Sequence, residues 1–284
     1  MIKEYYRLTK PGIIRGNLVA AVAGFLLASQ GDFNVTLFLF TMIGTALIIA
    51  CACVINNYFD KGIDAKMSRT KNRALVTGRI SDSNALIFAS VLGLIGTGLL
   101  VLYVNVLTAA IGLFGLFAYV VLYGMANRRS VHGTLVGTIS GAVPPVAGYT
   151  AVSGSIDLAA VILFLILVFW QMPHFYAIAI FRQKEYAAAK LPVLPVVKGL
   201  KITKAHILAY IIGFGLVSSL LYLYDYTGLL YLVTVECLAA VWIYFWFKNV
   251  KSPKVVDWAR MLFFISLPVL LGTCVVISID SFIG

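Results

Sequence analysis

Nine long apolar runs, each close to the length of a membrane-spanning helix, leave this chain few folds to choose from. A hydrocarbon core about 30 Å thick is crossed by roughly 20 residues of α-helix, and within it each backbone amide must be bonded inside its own segment. The runs fall at 13–29, 36–56, 84–103, 107–125, 134–152, 158–180, 205–224, 228–247 and 261–279. They predict an all-α, polytopic membrane protein with nine transmembrane helices in a single domain, 1–284. Composition agrees: 61% of the 284 residues are hydrophobic and 12% charged, and the lipid bilayer is the expected solvent.

The net charge of +11 would suggest nucleic acid in a soluble protein, but here the charge sits in short clusters between apolar runs, so no nucleic-acid partner is expected. The connections after odd-numbered runs are short and carry Asp32, Asn105, Asp157 and Asp225. All 22 Lys and Arg are assigned to the N-terminal segment and the loops after the second, fourth, sixth and eighth runs. The positive-inside rule then places the N-terminus in the cytoplasm and the C-terminus outside, which for a bacterium means an inner-membrane protein with a periplasmic C-terminus. The basic start before the first run superficially resembles a signal peptide, but with eight more runs following, an uncleaved first helix is expected. Cys51, Cys53, Cys237 and Cys274 all lie in apolar runs without metal-site spacing and read as packing residues.

Two cytoplasmic loops dominate. Residues 57–83 carry Lys61, Lys66, Arg69, Lys71, Arg73 and Arg79, and residues 181–204 carry Arg182, Lys184, Lys190, Lys198, Lys201 and Lys204. Their separation by four runs suggests duplication of a four-helix unit. In the fifth run Gly133, Gly137 and Gly141 form a small-residue stripe that would let a neighbour approach, and Pro144 and Pro145 should kink the helix or widen a cavity.

The stretch with most chemistry is 56–64, at the cytoplasmic end of the second run. Asn56, Asp60 and Asp64 stand at i, i+4 and i+8, so on a helix one amide oxygen and two carboxylates stack on one face. Carboxylates that close repel unless a cation or protons intervene. Magnesium, or manganese in its place, suits such a set, because it takes few carboxylate oxygens and completes its shell with water and substrate phosphates. A diphosphate is therefore implied. Lys66, Arg69, Lys71 and Arg73 follow, able to hold its non-bridging oxygens and stabilise it as it leaves. Ordinary solvated charges at a helix end are the plainer alternative. Across the same surface lie Arg182, Lys184, Glu185, Tyr186, Lys190 and Lys198, which could complete the phosphate cradle or bind carboxylates of an acceptor, with Glu185 a candidate for a second metal.

Asn56-xxx-Asp60-xxx-Asp64 followed by Arg69-Thr70-Lys71-Asn72-Arg73 resembles the signature of the UbiA-type intramembrane prenyltransferases. Thr9-Lys10-Pro11-Gly12, Trp170-Gln171-Met172-Pro173-His174-Phe175 and the 191–197 stretch, Leu-Pro-Val-Leu-Pro-Val-Val, look like the haem-directed branch of that family. The resemblance spans the whole chain. It implies nine helices around a central cavity, farnesyl diphosphate and haem B as substrates, haem O as product, and haem-handling or terminal-oxidase proteins as partners. It assigns Asn56, Asp60 and Asp64 to the magnesium-diphosphate motif. The aspartate-rich second motif of quinone-forming relatives appears here only as Arg182-xx-Glu185-Tyr186, which puts a second metal site in doubt.

Ionisation of the donor would leave an allylic cation for the haem vinyl group to attack, water capturing the cation that results. Aromatic faces stabilise such a cation by about 0.5 to 2 kcal/mol each; Tyr58, Tyr119, Tyr123, Trp170 and Tyr176 are candidates. A histidine inside an apolar helix is costly enough to suggest function, so His174 is the first candidate iron ligand or proton carrier and His132 a second. His206 reads as interfacial, and Glu236 as a carboxyl explained by protonation and a local hydrogen bond. Two other readings compete: a prenyltransferase with a quinone precursor or other aromatic acceptor, and a secondary transporter, whose charges would be expected near the midplane.

Overall fold

Each apolar run folds as a helix because lipid gives an amide no other partner. The computed structural model describes residues 1–283, apart from the side chains of Asn249 and Ile283. A short α1 (Ile2–Leu8) precedes the first span, α2 (Pro11–Ser29). The second span α3 (Val35–Phe59) leads into one turn of helix, α4 (Lys61–Asp64), and the third is α5 (Asp82–Tyr103). The fourth is composite: α6 (Val106–Phe117), a π-helical turn at Ala118–Tyr123, then α7 (Gly124–Arg129). Then come α8 (Gly133–Ser153) and α9 (Leu158–Phe181), the short connecting pieces α10 (Gln183–Ala188) and α11 (Leu194–Val197), and α12 (Gly199–Leu223), α13 (Leu229–Asn249) and α14 (Val255–Ile283). Among the described residues nine helices are long and apolar enough to cross a membrane, one for each expected run. The chain is a multi-pass membrane protein.

Polar residues of the short loops start the helices. Asn34, Asn105 and Asp157 accept the backbone N–H of Leu37, Thr108 and Ala160, satisfying amides that lipid would leave unbonded. Boundaries differ from expectation where cations ride on helix ends. Arg15, counted with the N-terminal segment although it falls within 13–29, lies inside α2, α12 takes in Lys201 and Lys204, and α14 starts early enough to include Asp257 and Arg260. Long basic side chains reach the headgroup region from the first turns of a span, so hydropathy alone clips these helices short.

The spans pack in a circuit: α2 on α3, α3 on α5 and α6, α6 on α8, α8 on α9, α9 on α12, α12 on α13, and α14 on α13, α9 and back on α2. The α2–α8 crossing is backbone-close, because Gly148 has no side chain and a Cβ there would run into the Ala21 carbonyl. Large side chains such as Trp242, Trp258, Tyr231, Phe25 and Phe214 fill the interior. Leu94, Leu102 and Leu216 are 75%, 76% and 67% exposed, a liability in water but the natural surface toward acyl chains.

Candidate active site

The acidic motif is not on one continuous helix. α3 ends at Phe59 and Asp60 caps it with ψ near 0°, before α4 resumes. The helical path carries across the break, because Asp60 N donates to Asn56 O (2.9 Å) and Asp64 N to Asp60 O (2.8 Å). Asn56 and Asp64 are buried, and the Asp60 side chain is 19% exposed.

Cations from three elements hold the motif. Arg128, at the end of α7, pairs with Asp60 Oδ1 at 2.9 Å and also donates to the Phe59 carbonyl at 2.7 Å. Arg73 donates to Asp64 Oδ2 at 2.5 Å and to Asn57 Oδ1 at 3.0 Å. Lys10 donates to Asn56 Oδ1 at 2.7 Å, while Asn56 Nδ2 donates to Asp60 Oδ2 at 2.9 Å. Lys10 takes left-handed backbone angles (φ 52°) just ahead of Pro11, a strained conformation that points to surroundings holding it in place. Burial lowers its ammonium pKa, and the carboxylates of Asp60 and Asp64 act against that shift.

The π-helical turn forms the wall beside this cluster. It stacks the Tyr119 and Tyr123 rings with centroids 5.5 Å apart and planes within 6°, and Tyr119 donates its hydroxyl to Asn56 Oδ1 at 3.3 Å. Such turns recur at functional sites because they re-aim side chains out of α-helical register. The expected small-residue stripe serves this wall: a Cβ on Gly137 would come within 2.8 Å of the Tyr123 ring, so only glycine lets the ring lie flat.

The two large loops face each other. Tyr123 lies within electrostatic reach of both Asp60 and Tyr186, and Tyr186 of both Arg69 and Arg182. Burial pushes the Tyr186 hydroxyl pKa up, while those two arginines pull it down. Glu185 turns to its own helix neighbour, pairing with Arg182 at 3.4 Å. Lys66, Arg69, Lys71, Lys190 and Lys198 are exposed on this surface, as is His132, which caps α8.

His174 sits elsewhere, between α9 and α14. Its ring stacks on Trp170 at 4.9 Å and packs against Phe263 at 4.8 Å, and its Nδ1 is 2.7 Å from Ser266 Oγ. The single Ser266 hydroxyl proton goes to the Phe263 carbonyl at 2.6 Å, so Ser266 accepts from His174 Nδ1–H. That bond leaves Nε2 as the nitrogen with a lone pair, the tautomer a metal ligand needs. Trp170 and Tyr176 are buried in α9, Tyr176 against Tyr210 and His206, and Tyr58 packs on Phe59. Glu236 accepts from Ser219 Oγ at 2.7 Å. Asn57, Lys10 and Arg128 were absent from the expected site. Lys10 belongs by sequence to the basic flank of the first span and to the Thr9–Gly12 likeness, and nothing in the order of residues shows that the end of the fourth span returns to Asp60.

Hard oxygen donors on consecutive turns fit magnesium. Among the described residues no three His, Cys, Asp or Glu side chains gather at one point, so a cation here would be shared between two carboxylates, an amide and oxygens of a ligand.

Residues 17–267 match the UbiA prenyltransferase family. A relative named protoheme IX farnesyltransferase, from Yersinia pseudotuberculosis serotype O:1b (strain IP 31758), is 48% identical over 99% of this chain and 95% of its own length. The fold resembles that of a solved digeranylgeranylglyceryl phosphate synthase (TM-score 0.79, 21% identity, 98% of each chain). It also resembles a UbiA homolog from Archaeoglobus fulgidus bound to GPP and Mg2+ (TM-score 0.70, 15% identity, 97% of this chain and 99% of that one). Together with the two carboxylates at the C-terminal end of the second span, these likenesses place the chain: it belongs to the UbiA prenyltransferase family.

Proposed function

We propose that the chain transfers the farnesyl group of farnesyl diphosphate to a vinyl group of haem B, making haem O. The observation that carries this reading is the stack of Asn56, Asp60 and Asp64, gripped by Lys10, Arg73 and Arg128 at one membrane surface. The 48% identity to a protoheme IX farnesyltransferase supports the acceptor, and the GPP and Mg2+ of the A. fulgidus homolog support the donor chemistry.

Asn56, Asp60 and Asp64 would hold a magnesium or manganese ion, which when bound offsets the charge of the departing diphosphate. Lys66, Arg69, Lys71 and Arg73 hold its outer oxygens. Arg73 and Arg128 also pair with the two carboxylates, offsetting their charge and holding them in place. Tyr119 and Tyr123 present stacked faces to the allylic carbon and keep water from it until the vinyl carbon attacks. Water then captures the cation on the former vinyl group and loses a proton. Arg182, Lys190 and Lys198 bind the haem propionates, with Tyr186 bridging toward the donor and His132 at the rim; His174 is the iron ligand through Nε2. The whole of 1–284 works as one transmembrane domain in a bacterial inner membrane, N-terminus in the cytoplasm and C-terminus in the periplasm, as the charge asymmetry argues. Terminal-oxidase or haem-handling proteins receive the product.

Purified protein given haem B, farnesyl diphosphate and magnesium should yield a haem heavier by one farnesyl group and one hydroxyl, read by mass. Unchanged haem, with a quinone precursor farnesylated when it is supplied in place of haem B, would move the assignment to another branch of the family.

A further inference from the structure

Between α12 and α13 runs a groove of about 180 Å³, lined by none of the residues of the acidic motif or its cations. Gly215, Ala239 and Ala240 keep it shallow-walled, and its one polar residue is Glu236. Glu236 stands about two turns past Leu229, the start of α13, so its carboxyl lies about 10 Å along the helix, at hydrocarbon depth. The residue is exposed on the outside of the bundle, where the surrounding medium is acyl chain. Its Oε1 accepts from Ser219 Oγ at 2.7 Å. The carboxyl rests in the notch left by Gly215, where a Cβ would come within 3.2 Å of Oε2. Among the described residues Oε2 has no hydrogen-bond partner.

A polar group facing hydrocarbon is costly and a carboxyl more than most, so the groove calls for a hydrogen-bonding partner at the same depth. Copies of one chain insert with one orientation, so a closed pair has its two-fold axis along the membrane normal and sets residues of equal depth opposite each other. Such a pair brings Glu236 to Glu236. Among the described residues the lysines and arginines of the spans lie at the ends that join the basic loops, so a second copy brings no cation to this depth. It brings a carboxylic acid, which is donor and acceptor at once. Two such acids bond reciprocally through two O–H···O bonds, and Gly215, Ala239 and Ala240 let the helices come close enough to form them.

We propose that the α12–α13 groove is an interface between two copies of this chain, a two-fold pair closed by neutral Glu236 carboxyls. It does not depend on the function proposed above, and it is read without turnover.

The full chain, labelled with donor and acceptor dyes, is reconstituted in phosphatidylcholine vesicles over a range of protein-to-lipid ratios, and pairing is read by energy transfer. Transfer should fall on dilution along a monomer–dimer curve. Glu236→Leu should weaken pairing about tenfold, the scale of losing two interhelical hydrogen bonds. Glu236→Gln should hold it within about threefold, because an amide is also donor and acceptor. Ser219→Ala removes the bond inside the chain but leaves the carboxyl, so it should not weaken pairing. With the exposed Cys237 replaced by Ser, an Ala240→Cys variant should cross-link between copies through a short bifunctional maleimide. Monomers at every ratio would overturn the interface, as would energy transfer without that cross-link, which places the contact elsewhere. Equal losses in Glu236→Leu and Ser219→Ala would reduce Glu236 to a link between α12 and α13 of one chain. A Glu236→Gln variant as weak as Glu236→Leu would mean an ionised carboxylate that needs a cation, which a second copy does not supply.

Discussion

The two basic loops carry similar residues and hold them differently. In the loop after α3, Asp60 is fixed by Arg128 from the end of the fourth span, Asp64 by Arg73 nine residues on in the same loop, and Asn56 by a lysine from before the first span. In the loop after α9, Glu185 reaches only Arg182, three residues away, and Lys190 and Lys198 are exposed. Long-range pairs survive the motion of any one element, whereas an i, i+3 pair contributes only a few tenths of a kcal/mol and yields readily. On the function proposed above, the difference teaches that the donor side is built before substrate arrives, while the acceptor side is left to adapt to a large, flat ligand.

The comparison is sharpened most by removing a carboxylate. Asp64→Ala should lower turnover by about 10²- to 10³-fold, the scale of losing an electrostatic contact to a leaving group. Circular dichroism of the inserted protein should stay unchanged, because Asp64 bonds to a side chain and not to the packing of the spans. Arg128→Ala should cost less, about tenfold to a hundredfold, since it leaves both carboxylates present but Asp60 unbalanced. Steady-state rates by product mass check both, and equal losses would mean that Arg128 touches the substrate directly.

Much of this was legible in the order of residues, for physical reasons that stop at identifiable points. Spans are written in hydropathy, since lipid excludes every alternative, and the i, i+4 spacing of Asn56, Asp60 and Asp64 survives a broken helix because the backbone bonds carry across it. Long-range partners are not written anywhere local. Arg128 looked like one more cytoplasmic charge, and Lys10 like part of the flank of the first span. The π-helical turn that aims Tyr119 and Tyr123 has no signature in an apolar run, although Gly137, read as a packing residue, is the complement of the Tyr123 ring.

The acceptor side yields smaller predicted effects. Ser266→Ala removes the bond that fixes the His174 tautomer and should weaken haem affinity about tenfold or less, with a shifted absorption spectrum. An unchanged spectrum in both Ser266→Ala and His174→Ala would return His174 to packing. Glu185→Gln should change turnover by less than about threefold, as expected for a partly exposed pair. A loss as large as that of Asp64→Ala would instead reveal a second metal site and erase the contrast between the loops.

The most direct test replaces magnesium by manganese and follows the phosphorus resonances of a non-hydrolysable farnesyl diphosphate analogue bound to the protein. The acidic stack should place the paramagnetic ion beside both phosphates, broadening their signals in wild type and not in an Asp60→Asn, Asp64→Asn double variant. Equal broadening in both proteins would mean that the ion is held somewhere other than at these carboxylates.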